Sequence, residues 1–426
     1  VRRQNLLRCR KGRHRAPALT QPMLSRFSGH EFRALVQTAG VTYGGTALSI
    51  VSAPLVARTL GADGRGVLAG AFVTLQLLSW VSFLGLPRGL SLQAHKRQHV
   101  SGVGVVVVAA LGLVSALIAI VLAPALSNGD PRLEIGIKIS AVVLLASGVG
   151  QFGTELLLLR GQIKSYNFTR SMVLVLPPIA MIIAFATHTL TLRNAYTITL
   201  LGQIAAVTAG CFFAFGTIRK ARRVAVPWDF SLRYWSTSAL DAVGGRGDQV
   251  VLSALSQTSV LGVYSLAVTC ASASAGLTQA LNSLAYSALS RLEGQENKSY
   301  LRRRSLLGVA LSVASGIAIV FVVHFFGRAI FGPSFDGLTQ VVIVLVVAQL
   351  VADQWSLRVL ADSASETVQN LVWASAAGIV VLAVIVAILV YTSSLSALTM
   401  ATAMLLFAIA RLSVWRGLRR ARAHRS

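Results

Sequence analysis

The chain has 426 residues, 54% of them hydrophobic and 12% charged, and its mean hydropathy is +0.69. That composition excludes an ordinary soluble globular protein of this length. A net charge of +25 would suit nucleic acid, but the basic residues are distributed as in membrane proteins.

Residues 1–32 form a basic tail, too polar for a packed core and expected to be disordered. It leads into an apolar run with no small-residue cleavage pattern, so no cleaved signal peptide is expected. Twelve apolar runs of about 20 residues follow, the length of helix that crosses a roughly 30 Å hydrocarbon core. They cover 35–57, 66–87, 102–126, 135–159, 170–190, 195–218, 237–256, 261–287, 305–327, 337–358, 369–391 and 395–415. Run seven is the least apolar because it holds Asp241, Arg246 and Asp248. Runs two and eight carry enough Ser, Gln and Gly to suggest that they line something polar. Outer turns are expected near 58–65, 127–134, 191–194, 257–260, 328–336 and 392–395.

With the N-terminus placed in the cytoplasm, 32 of the 39 Lys and Arg fall on that side, those from Arg411 onward being counted with the tail. Six lie near outer ends (Arg58, Arg65, Arg132, Lys138, Arg193, Arg328), and Arg246 stands inside run seven. This is the positive-inside pattern, with both termini cytoplasmic, and it disfavours a nucleic-acid partner. Cys9 lies in the tail and Cys211 and Cys270 in runs, so no disulfide or metal framework is expected. His95 and His99 stand one helical turn apart with no third ligand, which favours a solvated pair over a metal site. No cofactor is expected.

The basic stretch "RKARRVAVPWDFSLRYW" at 219–235 divides the chain into two halves of six runs. The expected organisation is a six-helix lobe at 33–218, a basic linker at 219–234, a second lobe at 235–416 and a basic tail at 417–426. In the first half "VARTLGADGRGVLAGAF" (56–72) joins runs one and two; in the second, "LSALSQTSVLGVYSLAV" (252–268) joins runs seven and eight. An offset of 196 residues aligns Gly66 with Gly262 and Val67 with Val263. The shared position in both halves points to duplication, and six runs per half make the repeats parallel.

"ARTLGADGRGVLAGAF" resembles the signature turn of the bacterial polysaccharide-export flippases, members of the multidrug/oligosaccharidyl-lipid/polysaccharide transporter superfamily. "DQVVLSALSQTSVLGVYSLA" (248–267) resembles that family's second-half counterpart. The resemblance covers nearly the whole chain in layout, with two short motif-like segments. It implies an all-α integral membrane protein of the bacterial cell membrane, with twelve transmembrane helices in two lobes around a central cavity. It also implies transport of an undecaprenyl-pyrophosphate-linked oligosaccharide by alternating access. Its implied partners are that lipid-linked oligosaccharide, membrane lipids and polysaccharide-assembly proteins. The "GGRG" before Asp248 departs from the family pattern, and its arginine matches no family position.

Arg246 lies eleven residues after Trp235, the expected interface anchor, which places it about 16 Å into the membrane. A charge at that depth costs at least about 2.5–3.5 kcal/mol, so it requires a wet cavity or a partner. On a regular helix Asp241 and Asp248 share a face, while Arg246 points about 200° from Asp248. Gly244, Gly245 and Gly247 offer a hinge at which the helix could bend or unwind. The competing structural reading is a bridge from Arg246 to Asp353 in run ten. Asp353, with Gln349 and Gln354, also suits the cavity or coupling to H+ or Na+, and nothing in the sequence fixes the ion. Arg88 is expected at the cytoplasmic mouth, either to receive the lipid pyrophosphate or as a positive-inside anchor. Arg58 and Arg65 run against the charge bias, which favours a cavity-mouth role for them, while Glu155 and Arg160 are expected to snorkel.

An arginine suits a pyrophosphate cargo because it stays charged and binds phosphate through two parallel donors. A drug or cation antiporter or a peptidoglycan-precursor flippase of the same superfamily is the alternative. A membrane polymerase or ligase is disfavoured because the outer loops are short and hold few acid or base candidates.

Overall fold

A computed structural model describes residues 29–97, 99–276, 278, 279, 282, 294–364 and 369–423. The expected disordered tail lies outside the described residues up to residue 28. The described residues form helices without a β-sheet; their one isolated bridge joins Ser101 to Arg222.

Helix α1, Gly29–Val81, is 53 residues long and breaks at a single non-helical residue, Gly61, with φ of 69°. Left straight it would measure about 80 Å, far more than a bilayer core. Instead it folds back. Gly45 in the first limb packs on the Leu174 carbonyl, and Leu75, Gln76, Ser79 and Trp80 in the second limb line a chamber that Leu174 also lines. The expected loop at 58–65 is therefore one residue, and glycine supplies the left-handed conformation that reverses the chain without a Cβ clash. A second such turn at Leu84 and Gly85 starts a separate helix, α2, Leu86–Arg97. Run two thus stops short of 87.

Helix α3 spans Gly102–Leu126, capped by the Ser101 hydroxyl, which accepts from the Gly104 amide. Expected span 135–159 is two helices, α4 (Pro131–Ala141) and α5 (Leu144–Leu159), bent by 50°. Gly112 of α3 lies against the carbonyls of Leu144 and Leu145 at that break, where any side chain would collide. Asp130 caps α4, and its hydrogen bond from the Arg132 side chain holds its carboxyl below the usual range. Expected span 170–190 is likewise divided into α6 (Ile163–Leu174) and α7 (Leu176–Ala186), with Pro177 and Pro178 in the first turn of α7. α8 spans Leu192–Ile218.

Helix α9, Trp228–Leu255, begins inside the expected linker. α10 covers Thr258–Ser274; most of the expected span beyond it lies outside the described residues. α11 (Gly294–Phe331), a 3-10 turn at Pro333–Phe335, α12 (Leu338–Ala364), α13 (Gln369–Tyr391) and α14 (Ala397–Ala423) complete the chain. The last helix runs on through most of the expected tail. Among the described residues eight helices are long and apolar enough to cross a membrane, and the bent pair α4–α5 makes nine. Taking the limbs of α1 separately and adding polar α9 and 17-residue α10 gives the twelve segments.

Apolar packing divides at α9. One core gathers residues from Leu252 to Phe407 together with Ala53, Ala57 and Ala62 of α1. Other cores lie wholly in the first half, around Phe72 and Leu144, around Phe83 and Phe152, and around Val56 and Met181. The halves meet where α1 crosses α10. A Cβ on Gly66 would lie 1.7 Å from the Thr258 carbonyl oxygen, and a Cβ on Gly262 would lie 1.7 Å from that of Ala62. The offset of 196 that relates the two sequence segments carries Ala62 onto Thr258 and Gly66 onto Gly262. The contact therefore maps onto itself, as at an isologous interface between two copies. Polar bonds flank it. Thr258 donates to Asp63, Arg132 donates to the same carboxylate at 2.8 Å, and Asn128 donates to the Ser256 carbonyl at 3.1 Å.

Candidate functional site

Two chambers lie on either side of α9. The first-half chamber has a volume of about 860 Å³ and includes Gln76, Gln151, Thr154, Tyr166 and Gln203 in its lining. The second-half chamber, about 690 Å³, includes Gln279, Asn282, Gln349, Trp355 and Arg411. Asp241, Gly245 and Arg246 line both. Helix α9 is thus a shared wall, and Asp241 and Arg246 are reached from either side. The polar lining of the larger chamber combines amides and hydroxyls with the charged groups of Arg88, Glu155, Arg170, Asp241 and Arg246.

Arg246 is exposed on that wall. It forms no ion pair among the described residues. The bridge to Asp353 is not made: Asp353 is buried and accepts from Ser312 Oγ at 2.7 Å and Gln349 Nε2 at 2.9 Å. Asp248 is also buried; it accepts from the Tyr264 hydroxyl and from the Gln249 amide. Asp241 is open to the chambers and faces Arg411 Nη1 at 3.6 Å. The expected shared face of the two aspartates holds in that both reach the smaller chamber, but only Asp241 reaches the larger.

The glycine hinge is not formed in this structure. α9 is continuous from Trp228 to Leu255, and Gly244, Gly245 and Gly247 all keep negative φ. A Cβ on Gly244 would lie 2.7 Å from the Phe407 ring, while Gly245 has open space beside it. Gly244 therefore lets α14 approach, and Gly245 widens the passage beside Arg246.

Arg88 lies in the first turn of α2, not at the end of run two, and pairs with Glu155 in the wall of the larger chamber. The snorkelling expected of Glu155 is corrected by that partner; Arg160 donates to Thr217 at 3.2 Å. Arg58 and Arg65 line neither chamber. Arg58 donates to the Ala329 carbonyl at 3.2 Å and Arg65 to Thr269 Oγ1 at 3.1 Å, so both tie α1 to the second half. The sequence reading missed Arg411, which is buried between the rings of Trp355 and Phe407. Its pairing with Asp241 brings together residues 170 positions apart, and its place beside "VWRGLRRARAHRS" hid it in an apparent basic tail. Asp248 and Tyr264 both lie in the second motif-like segment, 248–267, but the hydrogen bond between them was not foreseen.

The described residues hold no group of three or more His, Cys, Asp or Glu able to bind a metal ion.

Residues 35–293 match the family model described as "Polysaccharide biosynthesis protein". No curated protein matches the chain. Among solved structures, the lipid II flippase MurJ in an inward closed conformation superposes with a TM-score of 0.69 at 11% identity, covering 90% of this chain and 87% of that one. An inward-facing multidrug resistance MATE family transporter of the MOP superfamily gives 0.63 at 13% identity, covering 91% and 98%. A MATE protein in complex with MaL6 gives 0.54 at 14% identity, covering 92% and 97%. These likenesses speak to the fold, while the family match spans more than half of the sequence. The chain belongs to the polysaccharide biosynthesis protein family and has the fold shared by transporters of the multidrug/oligosaccharidyl-lipid/polysaccharide superfamily.

Proposed function

We propose that the protein is a flippase of the bacterial cell membrane that moves an undecaprenyl-pyrophosphate-linked oligosaccharide from the cytoplasmic to the outer leaflet by alternating access. The observation that carries this reading is Arg246, exposed and without an ion-pair partner among the described residues, on the wall between two polar chambers. A cationic residue at membrane depth stands ready for an anion, and a pyrophosphate crossing a low-dielectric region needs such compensation. The polyprenyl tail stays in lipid beside the lobes, proposed at 33–218 and 235–416, while the sugars occupy the larger chamber. A drug or cation antiporter is disfavoured because the unpaired charge has the wrong sign for an organic cation. A peptidoglycan-precursor flippase shares the phosphate chemistry and differs in the glycan.

Arg246→Ala removes the proposed substrate contact without breaking an ion pair among the described residues. Export of lipid-linked glycan should fall by about 10- to 100-fold, the equivalent of about 1.5–3 kcal/mol for a charge-assisted hydrogen bond. Membrane abundance should be unchanged. Arg246→Lys should recover part of the activity, since a point charge replaces a planar fork. Normal export by an abundant Arg246→Ala protein would refute the role.

The proposed orientation, with both termini cytoplasmic, has its own test. Ser334 and Ser299 are exposed and lie at opposite ends of the spans, whereas Ser127 is buried and unsuitable as a label. In intact cells an impermeant thiol reagent should label Ser334→Cys and leave Ser299→Cys untouched. The reverse pattern would invert the topology.

A further inference from the structure

Arg411 is nine-tenths buried at 9% exposure, yet it belongs to the lining of the smaller chamber. Its guanidinium carbon lies 4.4 Å from the Trp355 ring centre and 5.0 Å from that of Phe407. Two rings hold the group in place and leave its N–H donors for partners at its edge. Those donors are poorly used. Among the described residues Nε is buried without a hydrogen-bond partner, and the ion pair with Asp241 is a single contact of 3.6 Å. That is well beyond the roughly 2.7–2.9 Å of a good charge-assisted bond. The Asp241 side chain is 57% exposed, so water can take over its solvation when it swings away.

As structural glue this arrangement is poor. A buried guanidinium with open donors carries the desolvation penalty of a buried charge without the close pairing that offsets it. As a preorganised anion site it makes sense. We propose that Arg411 is a second phosphate-binding subsite of the transport cavity, and that Asp241 fills the place of a phosphoryl group while the cavity is empty. The proposal rests on the reading that Arg246 meets a pyrophosphate. Asp241 precedes Arg246 by five residues, about 7.5 Å of helix rise, and all three side chains line the smaller chamber. One phosphoryl group meets Arg246 on α9; the other displaces Asp241 from Arg411 on α14. A monophosphate has one such group and engages Arg246 alone.

The test uses the full chain in lipid nanodiscs, titrated with undecaprenyl pyrophosphate and separately with undecaprenyl phosphate, neither carrying sugar. Arg411→Gln should weaken pyrophosphate binding about tenfold or more, the range of one charge-assisted contact, and leave monophosphate binding within about twofold. Asp241→Asn removes the competitor and should tighten pyrophosphate binding severalfold; the gain should vanish in Asp241→Asn combined with Arg411→Gln. Should Arg411→Gln fail to fold, Asp241→Asn decides alone. An Asp241→Asn protein of native thermal stability that binds pyrophosphate no more tightly overturns the proposal. Equal losses for both lipids in Arg411→Gln overturn it too. Arg246→Ala in the same assay separates the two readings: unchanged binding of both lipids removes the Arg246 role, whatever Arg411 does.

Discussion

Gly66→Leu and Gly262→Leu are each expected to stop transport, and to do so equally. At both positions the first side-chain atom would meet a backbone carbonyl at 1.7 Å. No rotamer can relieve such a clash, so α1 and α10 must part. Overpacking of this kind costs about 1–3 kcal/mol, occasionally more. Parting the helices also strains the Thr258–Asp63 and Asn128–Ser256 bonds beside the crossing. Either variant should hold the halves apart at the Gly61 end and reduce export about 100-fold, with Gly66→Ala showing the same effect more weakly. The double variant should be less damaging than the sum of the two, because the first leucine opens the gap that the second needs. The check combines export, membrane abundance and labelling of Ser253→Cys by an impermeant reagent. Ser253 is buried against Gly70 at this crossing. Its cysteine should stay protected in the parent and react in Gly66→Leu; protection in both, with export lost, would refute the parting of the helices.

The second large effect is expected at Tyr264. It is fully buried, and its hydroxyl serves Asp248, itself 3% exposed. Tyr264→Phe removes a donor from a buried carboxylate and should destabilise the protein by about 1–3 kcal/mol. Asp248→Ala strands the hydroxyl instead, at a similar cost. Because each change removes the same bond, Tyr264→Phe combined with Asp248→Ala should be less destabilising than the two added together. Thermal unfolding of the purified variants in one detergent reads all three, and strict additivity would show that the bond contributes nothing. The contrast with Arg246 is direct: losing Arg246 should reduce export at constant abundance, whereas losing Tyr264 should reduce abundance itself.

Elements whose signal is local were legible in the sequence. The apolar runs of α3, α8 and α13 stand out because lipid selects every exposed position for hydrophobicity, and the structure ends these helices within a few residues of the expected bounds. Breaks inside spans were not legible. Val142 and Val143, between α4 and α5, are as apolar as their neighbours, and the room for the bend comes from Gly112 on another helix. Gly61 looked like part of a loop because "LGADGRG" has the composition of one; a single residue in the left-handed region suffices. At the site, Arg246 was conspicuous as a charge in an apolar run. Its neighbours were read by helical geometry alone, which cannot reveal that Gly244 faces Phe407 from 163 positions away. Arg88 with Glu155 and Asp241 with Arg411 are pairs of the same kind, made by tertiary packing between residues that carry no mutual mark in sequence.

The crossing of Gly66 over Gly262 also bears on electrical insulation. Each elementary charge that leaks across a membrane holding 100 mV dissipates about 2.3 kcal/mol of stored energy. A protein with two polar chambers on either side of one helix is at risk of becoming a wire, since a file of waters through it would carry protons. At the crossing, backbone meets backbone too closely to admit even a methyl group, and so too closely for a water molecule to pass between α1 and α10 at that point. The smallest residues available thus seal this point of the contact between the halves: by omitting side chains, the fold brings two peptide backbones together where larger residues would hold them apart.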